Sequence, residues 1–435
     1  MADAVRGYKP REFIIESLDG AKKIDITNSI LSIDYFEDIL KPDISMIIQV
    51  TNSYSIVSGL PIRGGERVYI DIETVSGDFT INTEQDVLYV YKVSGIDGTR
   101  MAENFTLHLT TREYITNETS RCSRRYSGKI SESVKDILSN VLRTEKYFDN
   151  NIEDTANAYA FIGAMKKPFN VLTWLGPKAL SGSAGSSDAD PNGSRTEEAT
   201  GTAGFFFFEN RDGYNFKSID GMVSKLKESE GSSDDKKVFK YSYGGKIIKA
   251  NDVRNNYEII NYSFEKNIDL RKSLRVGMYS NVTFFYNQDT HDITVYKYVL
   301  KDQIKDKKLC KDPLAVSDGI SESISRILVR GSDHGIMETN GGTSTSGRSP
   351  ADQAKSLARY NLLFTQALNI LIPCNIKLKV GDVVYCEFPE MSSGQSKEID
   401  SQSSGHYLIR ELRHHFSAGQ NTTSLKLMRD SYGVN

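Results

Sequence analysis

The chain has 435 residues, 38% hydrophobic and 26% charged, with 54 Lys and Arg against 57 Asp and Glu. At roughly 150 residues per domain this is an ordinary globular composition with length for about three domains. A net charge of -3 excludes a strongly basic nucleic-acid binder, and no apolar run approaches the roughly 20 residues of a bilayer span, so no membrane is expected. The start, Met1-Ala-Asp-Ala-Val-Arg-Gly-Tyr, lacks the basic-then-apolar build of a secretory signal, which predicts synthesis and folding in the cytoplasm. Cys122, Cys310, Cys374 and Cys386 form no C-x-x-C pair and are too sparse for a disulfide scaffold, so they read as free thiols. With 23 Tyr and 19 Phe but one Trp, the aromatic content leans toward strands.

Along the chain, period two comes first. Ile24/Ile26, Ile44/Met46/Ile48/Val50, Val68/Ile70/Ile72, Val87/Tyr89/Tyr91/Val93 and Phe105/Leu107/Leu109 alternate, with turn signals at Leu18-Asp-Gly, Arg63-Gly-Gly, Val75-Ser-Gly and Ile96-Asp-Gly between them. That pattern predicts five or more consecutive antiparallel strands, which a closed barrel would leave without edges. After Tyr114 the spacing of Ile130, Val134, Ile137, Leu138, Val141 and Leu142 is helical, and a second short helix is expected from Pro168 through Trp174. The Ser/Gly/Ala/Asp-rich tract 181–204 has almost nothing to bury and reads as a solvated loop. Strands return at Phe205–Phe208, Tyr214–Phe216 and Val238–Tyr243, then at Asn281–Tyr286 and Thr294–Val299.

Ser349-Pro350-Ala-Asp352 resembles a helix start, and Ala354, Leu357, Ala358, Leu362, Ala367, Leu368 and Leu371 extend helical spacing to a stop at Ile372-Pro373. The tail then alternates through Val383–Phe388, His406–Leu412 and Leu425–Leu427. The expected fold class is mainly β with α+β insertions: two antiparallel β units, each carrying a helical insertion. The first unit takes 1–115 and 205–250, with its insertion at 116–204. The second takes 251–310 and 372–435, with its insertion at 311–371.

The two units share letters. Gly65-Glu-Arg-Val-Tyr-Ile-Asp-Ile stands beside Gly381-Asp-Val-Val-Tyr-Cys-Glu-Phe, and Leu107, Leu109 and Tyr114 beside Leu425, Leu427 and Tyr432. Gly65 and Leu107 are 42 residues apart, Gly381 and Leu425 are 44. Upstream, Ile33-Asp-Tyr-Phe-Glu has a looser counterpart in Ile260-Asn-Tyr-Ser-Phe-Glu. This pattern predicts an internal duplication, with Gly65, Leu107, Leu109, Tyr114, Gly381, Leu425, Leu427 and Tyr432 as paired structural positions.

Motifs for chemistry are scarce. Tyr243-Gly-Gly-Lys246-Ile lacks the spacing and the hydroxyl of a phosphate loop, and neither G-x-G-x-x-G after a strand nor G-x-S-x-G occurs. His108, His291, His334, His406, His414 and His415 form no zinc pattern; His414 and His415, adjacent in a strand, point to opposite faces. Asp188-Ala-Asp190-Pro-Asn192-Gly193 matches half a calcium loop, but Ala199 stands where the closing acid belongs. Arg121-Cys-Ser-Arg124-Arg125 and the lysines of 301–311, interleaved with Asp302 and Asp306, read as solvated surface. No catalytic residue, cofactor or metal is expected.

The tail Lys379-Val-Gly-Asp382, Gly405-His-Tyr-Leu-Ile-Arg-Glu-Leu-Arg-His414 and Thr423-Ser-Leu-Lys-Leu-Met-Arg429-Asp-Ser-Tyr-Gly433 resembles the C-terminal barrel of baseplate central hub proteins of contractile-tailed phages, and the hub part of type VI secretion spike proteins has similar strands. Ile33–Leu40 with Gly59-Leu-Pro-Ile-Arg-Gly-Gly-Glu66 looks like the first hub barrel, and Gly277-Met-Tyr-Ser-Asn-Val like the opening of the second. The resemblance covers about two thirds of the chain. It implies two tube-like barrels per chain and a homotrimeric ring that adapts a sixfold tail tube to a threefold central spike. The implied partners are the spike, the tail tube or tube initiator, the tape measure protein and the baseplate wedge. DNA would pass through the channel unbound, past a lining of hydroxyls, amides or acids rather than lysines. The implied place is the virion tail baseplate. Loops 181–204, 228–237, 340–348 and 391–404 depart from the pattern. The rival expectations are a tail-associated cell-wall hydrolase and a tail-tip receptor-binding β protein.

Overall fold

The computed structural model describes residues 8–52, 62–74, 77–81, 86–98, 103–182, 203–223, 238–244, 257–266, 269–288, 291–300, 309–310, 318–321, 323–331, 350–364, 366–390, 399–417 and 421–433. His334, Asp188–Gly193, residues 301–308 and the 340–348 loop lie outside them. The chain is mostly β, and fifteen of its strands share one hydrogen-bonded sheet. Among the described residues no helix is long and apolar enough to cross a membrane.

The first eight strands are β1 (Tyr8–Glu16), β2 (Lys23–Asp25), β3 (Ile30–Asp38), β4 (Ser45–Asn52), β5 (Arg67–Thr74), β6 (Gly77–Ile81), β7 (Leu88–Gly98) and β8 (Glu103–Thr110). Period two does what the alternation predicts: Val68, Ile70 and Ile72 are buried while Tyr69 and Asp71 are only partly so. Pairing runs β2–β1–β5–β7–β8–β4–β3, all antiparallel, and β3 follows β2 directly through residues 26–29. Among the described residues no strand pairing joins β2 to β3, so the hydrogen-bonded path stays open there and the chain itself links its two ends into a circuit.

A second path is built the same way from β13 (Phe239–Tyr243), β14 (Glu258–Ile259), β15 (Asn261–Lys266), β19 (Gln366–Pro373), β20 (Val383–Glu387), β21 (Gly405–Ser417) and β22 (Asn421–Arg429). It runs β14–β13–β20–β21–β22–β19–β15, and only Ile260 separates β14 from β15. The two circuits meet at one antiparallel seam, β3 against β21, in which Glu411 faces Asp38 and Ser417 faces Ser32. One hydrophobic core runs through both, from Phe13, Tyr35 and Leu107 to Leu368, Leu412 and Leu427.

Between the circuits lies a unit with its own core: α1 (Arg112–Thr119), β9 (Arg125–Tyr126), α2 (Ile130–Asp136), β10 (Phe161–Ile162), α3 (Pro168–Leu175), and the hairpin β11 (Phe205–Asn210) with β12 (Gly213–Ser218). The helical spacing from Ile130 is borne out, but Ile137–Leu142 winds as a π-helix and ends at Arg143, whose φ is +53°. The short helix expected from Pro168 is α3, with Lys167 at the N-cap and Pro168 as its first residue. A second such unit has α4 (Leu270–Arg275), a separate sheet of β16 (Ser280–Tyr286), β17 (Ile293–Val299) and β18 (Arg326–Gly331), and α5 (Pro350–Leu363).

Three expectations need correction. The helix reaches only Leu363, and Ala367, Leu368 and Leu371 lie in β19. There Gln366, Leu368, Ile370 and Ile372 are buried at period two, with strands bonded on both edges. Asn281–Tyr286 and Thr294–Val299 are strands, but of the separate three-stranded sheet. The segment 238–243, expected with the first unit, pairs with β20 of the second circuit, while 205–218 forms its own hairpin.

Candidate functional site

Each circuit turns a corner on a glycine. Gly65 (φ +95°) donates its N–H to Val90 O at 2.7 Å, and Val90 N–H returns to Glu66 O at 2.9 Å. Gly381 (φ +87°) donates to Ile409 O at 3.1 Å, and Ile409 N–H returns to Asp382 O at 2.9 Å. Both glycines sit in the left-handed region that a side chain disfavours. The acid after each glycine folds back on its own turn: Glu66 Oε1 accepts from Arg63 N at 2.7 Å and Asp382 Oδ2 from Lys379 N at 3.2 Å.

The agreement continues into the strands. Val90 faces Leu109 and Val93 faces Leu107, with an irregularity at Tyr91; Ile409 faces Leu427 and Leu412 faces Leu425, with one at Arg410. On their other edge Leu107 and Leu109 face Ile48 and Met46, as Leu425 and Leu427 face Ile370 and Leu368. A bulge at a matching place in both copies re-aims the same stretch of strand. All four leucines are at most 1% exposed. Tyr114 and Tyr432 follow their strands in different surroundings: Tyr114 lies in α1 against Phe169, Tyr432 beneath the Arg429 guanidinium at 5.1 Å.

The seam between the circuits is charged and buried. Glu37, 1% exposed, accepts from Tyr35 Oη at 2.7 Å, Arg211 N at 3.0 Å and Val380 N at 2.9 Å, so one carboxyl group ties the first circuit to the β11–β12 turn and to the second circuit. Burial drives its pKa up to about 7 against the pull of these donors. Glu209, also buried and with Glu113 nearby, is raised to about 8 by desolvation, with Lys146 the opposing cation. His414 stacks on Tyr35, ring centroids 6.0 Å apart, and its Nδ1 lies 2.8 Å from Thr423 Oγ1. Burial, and secondarily Arg211, lowers it to about 3, so this ring stays neutral. At the seam's edge Asp34 takes Arg413 Nε at 2.9 Å and His415 Nδ1 at 2.7 Å.

A second ionic knot lies under α5. Arg359 Nη1 donates to Asp430 Oδ2 at 2.6 Å and Nη2 to Asp220 Oδ1 at 2.7 Å, joining that helix to the end of β22 and to the segment after β12. Ser356 Oγ donates to Pro177 O at 2.9 Å, so α5 also rests on the first inserted unit. No sequence motif signals Glu37, Glu209 or Arg359, because their partners come from segments up to 343 residues away.

The residues weighed for chemistry do not converge. His414 and His415 part to opposite sides of β21 as alternation requires, and His406 packs edge-on against Tyr385. His108 bonds Ser94, and His291 bonds Tyr286. Arg124 pairs with Asp136, and Arg121 is held by the carbonyls of Glu118 and Ser120. All four cysteines are free, as expected, and burial raises their thiols, Cys374 to about 12, away from the thiolate form. Among the described residues no group of three His, Cys, Asp or Glu could hold a metal ion.

Two open surfaces remain. β7 is bonded along β8, but on its other edge only Leu88, Tyr89 and Val90 find a partner among the described residues. Among the described residues β15 is bonded on one edge alone, along β19. On the three-stranded sheet, Ile293, Val295, Ile327 and Val329 lie on one face, the last 76% exposed.

No family model matches the chain, and no curated protein matches it in sequence. Solved structures do match in fold. The tail protein from Neisseria meningitidis MC58 aligns over 98% of this chain and 97% of its own, with a TM-score of 0.52 and 13% identity. The 43 kDa tail protein of prophage MuSo2 from Shewanella oneidensis aligns over 97% of this chain and 98% of its own, with a TM-score of 0.52 and 8% identity. The chain therefore shares the fold of these two tail proteins along nearly its whole length.

Proposed function

We propose that the chain is the structural hub of a phage tail baseplate, a homotrimer whose six strand circuits surround a channel. In this reading each circuit is a small barrel. The first comprises residues 8–110 and the second 238–266 with 366–433; the units between them are insertions. The observation that carries the proposal is the repeated corner, in which Gly65, Glu66, Val90, Leu107 and Leu109 make the same bonds and registers as Gly381, Asp382, Ile409, Leu425 and Leu427. Unrelated strand-turn-strand segments share alternation, but they do not share a left-handed glycine, reciprocal amide bonds and a bulge at one register.

The physical use of such a duplication is symmetry. Three chains with two like units each present six like faces to a sixfold tube and remain threefold toward a tapering spike. The work is non-catalytic: holding the spike, seating the tube or its initiator, contacting the wedge, and leaving a passage for tape measure and DNA in the virion tail. The fold shared with two tail proteins supports that setting. Light scattering with negative-stain imaging of the purified chain tests it. A three-copy particle with a central pore is expected; a monomer both alone and with its spike partner would refute the reading.

A further inference from the structure

The seam inside the chain has an unfilled twin at its two ends. β3 uses one edge for β4 and gives the other to β21. Its counterpart in the second circuit is β15, because β4 and β19 occupy the same place against β8 and β22. Ile33 and Tyr35 stand opposite Ile48 and Met46; Tyr262 and Phe264 stand opposite Ile370 and Leu368. The structural equivalence thus sets Tyr35 beside Phe264, two residues on from the match of letters. The counterpart of β21 is β7, by the shared bulge and corner. Where β3 and β21 meet within the chain, β15 and β7 each show an open edge among the described residues.

We propose, building on the hub reading, that the β15 edge of one copy pairs antiparallel with the β7 edge of the next copy, repeating the β3–β21 seam between chains. An eleven-residue strand bonded on its second edge, among the described residues, only at Leu88, Tyr89 and Val90 at its start is a ready template for another strand over the rest of its length. The contact is head-to-tail, since two different edges meet, and on the hub reading its rotation closes a ring at three copies rather than running on as a filament. Charge favours it: Lys92 on β7 and Glu265 on β15 are both exposed, where the internal seam has Arg413 against Asp34. The internal register sets Arg413 opposite Phe36. Carried across, it sets Ser94 of β7 opposite Lys266 of β15, next to the extra residue Glu265 at the β15 bulge.

The test is a pair of double variants, Ser94→Cys with Lys266→Cys and Ser94→Cys with Glu265→Cys, one register apart to span that bulge. Directly opposed residues are close enough for a disulfide. Under mild oxidation most of the chain of one double variant should move to a band of three chain masses on a non-reducing gel, while each single variant stays at one. A particle that remains three-copy by light scattering without forming this band in either variant overturns the edge pairing and leaves the hub reading standing. Dissociation by Val329→Lys in that case would place the contact on the exposed β16–β18 face instead. A chain that is monomeric at every concentration, with no covalent multimer, overturns both.

Discussion

The first and second circuits agree where four strands cross and differ where the circle is completed. β3, β4, β8 and β7 match β15, β19, β22 and β21 down to the bulge at Tyr91 and Arg410. β1, however, runs antiparallel to β5 over eight pairs, whereas β13 runs parallel to β20 over four. An antiparallel neighbour can be reached by a short turn, a parallel one only by a long crossover, and β13 enters after the whole first insertion. The difference teaches which part of the unit is under geometric constraint. The crossing strands carry the buried leucines and a fixed register. The completing strand has only to bond a neighbour on each edge, and β1 does so antiparallel where β13 does so parallel.

The comparison can be broken most violently at the second circuit, whose insertion is pinned to it by ions. Arg359→Ala leaves Asp220 and Asp430 without their shared cation, and the loss of one partner from a buried pair costs about 3–5 kcal/mol. A urea midpoint lowered by that loss divided by the denaturant slope is expected, with loss of the native near-ultraviolet signal at lower denaturant.

The corners themselves give a graded pair. Gly381→Ala puts a Cβ 2.9 Å from Phe208 Cζ in the core, whereas Gly65→Ala meets Leu18 Cδ1 at 2.7 Å, the tip of a side chain that is 71% exposed. Both incur the left-handed cost of roughly 1–2 kcal/mol. Only the Gly381 change adds overpacking, for a total of about 2–5 kcal/mol. Equal losses in denaturant melts would mean that the Phe208 contact yields freely.

A pH series sharpens the comparison at the seam. Glu209 and Glu37, with folded pKa values raised to about 8 and about 7, hold protons that the unfolded chain releases near 4.5. Their contribution is complete below that value and is lost as pH rises through 7 to 8, by up to about 1.4 kcal/mol per pH unit for each group. His414 acts oppositely: its folded pKa of about 3 means that stability falls as pH drops below 6.5 toward 3. Thermal melts between pH 6.5 and 8 should show a decline that Glu209→Gln flattens. The smallest effect is expected from Asp34→Asn, which touches the half-exposed Arg413 and His415 and should cost no more than about 1 kcal/mol.

Much of the strand content was legible because alternation is a local signal. Ser45–Asn52, Arg67–Thr74, Leu88–Gly98 and Glu103–Thr110 lie where period two put them. The same signal failed at β19, where Ala367, Leu368 and Leu371 also satisfy a helical spacing continuous with α5, and the break at 364–366 carries no Gly or Pro to mark it. Which sheet a strand joins was not legible at all. β13 and β16 read alike in sequence, yet one completes a circuit and the other belongs to a separate sheet. The buried carboxyls were invisible for a simpler reason: 57 acids look the same until their donors are brought to them.

The β3–β21 seam also has a mechanical meaning. Seven consecutive residue pairs bridge the halves, and sliding them by one residue would swing Tyr35 and His414 out toward water. A twist applied at one end of the molecule is thus handed to the other through peptide groups loaded in shear. The joint between the halves behaves as a weld, and a load that moves one of them carries the other along with it.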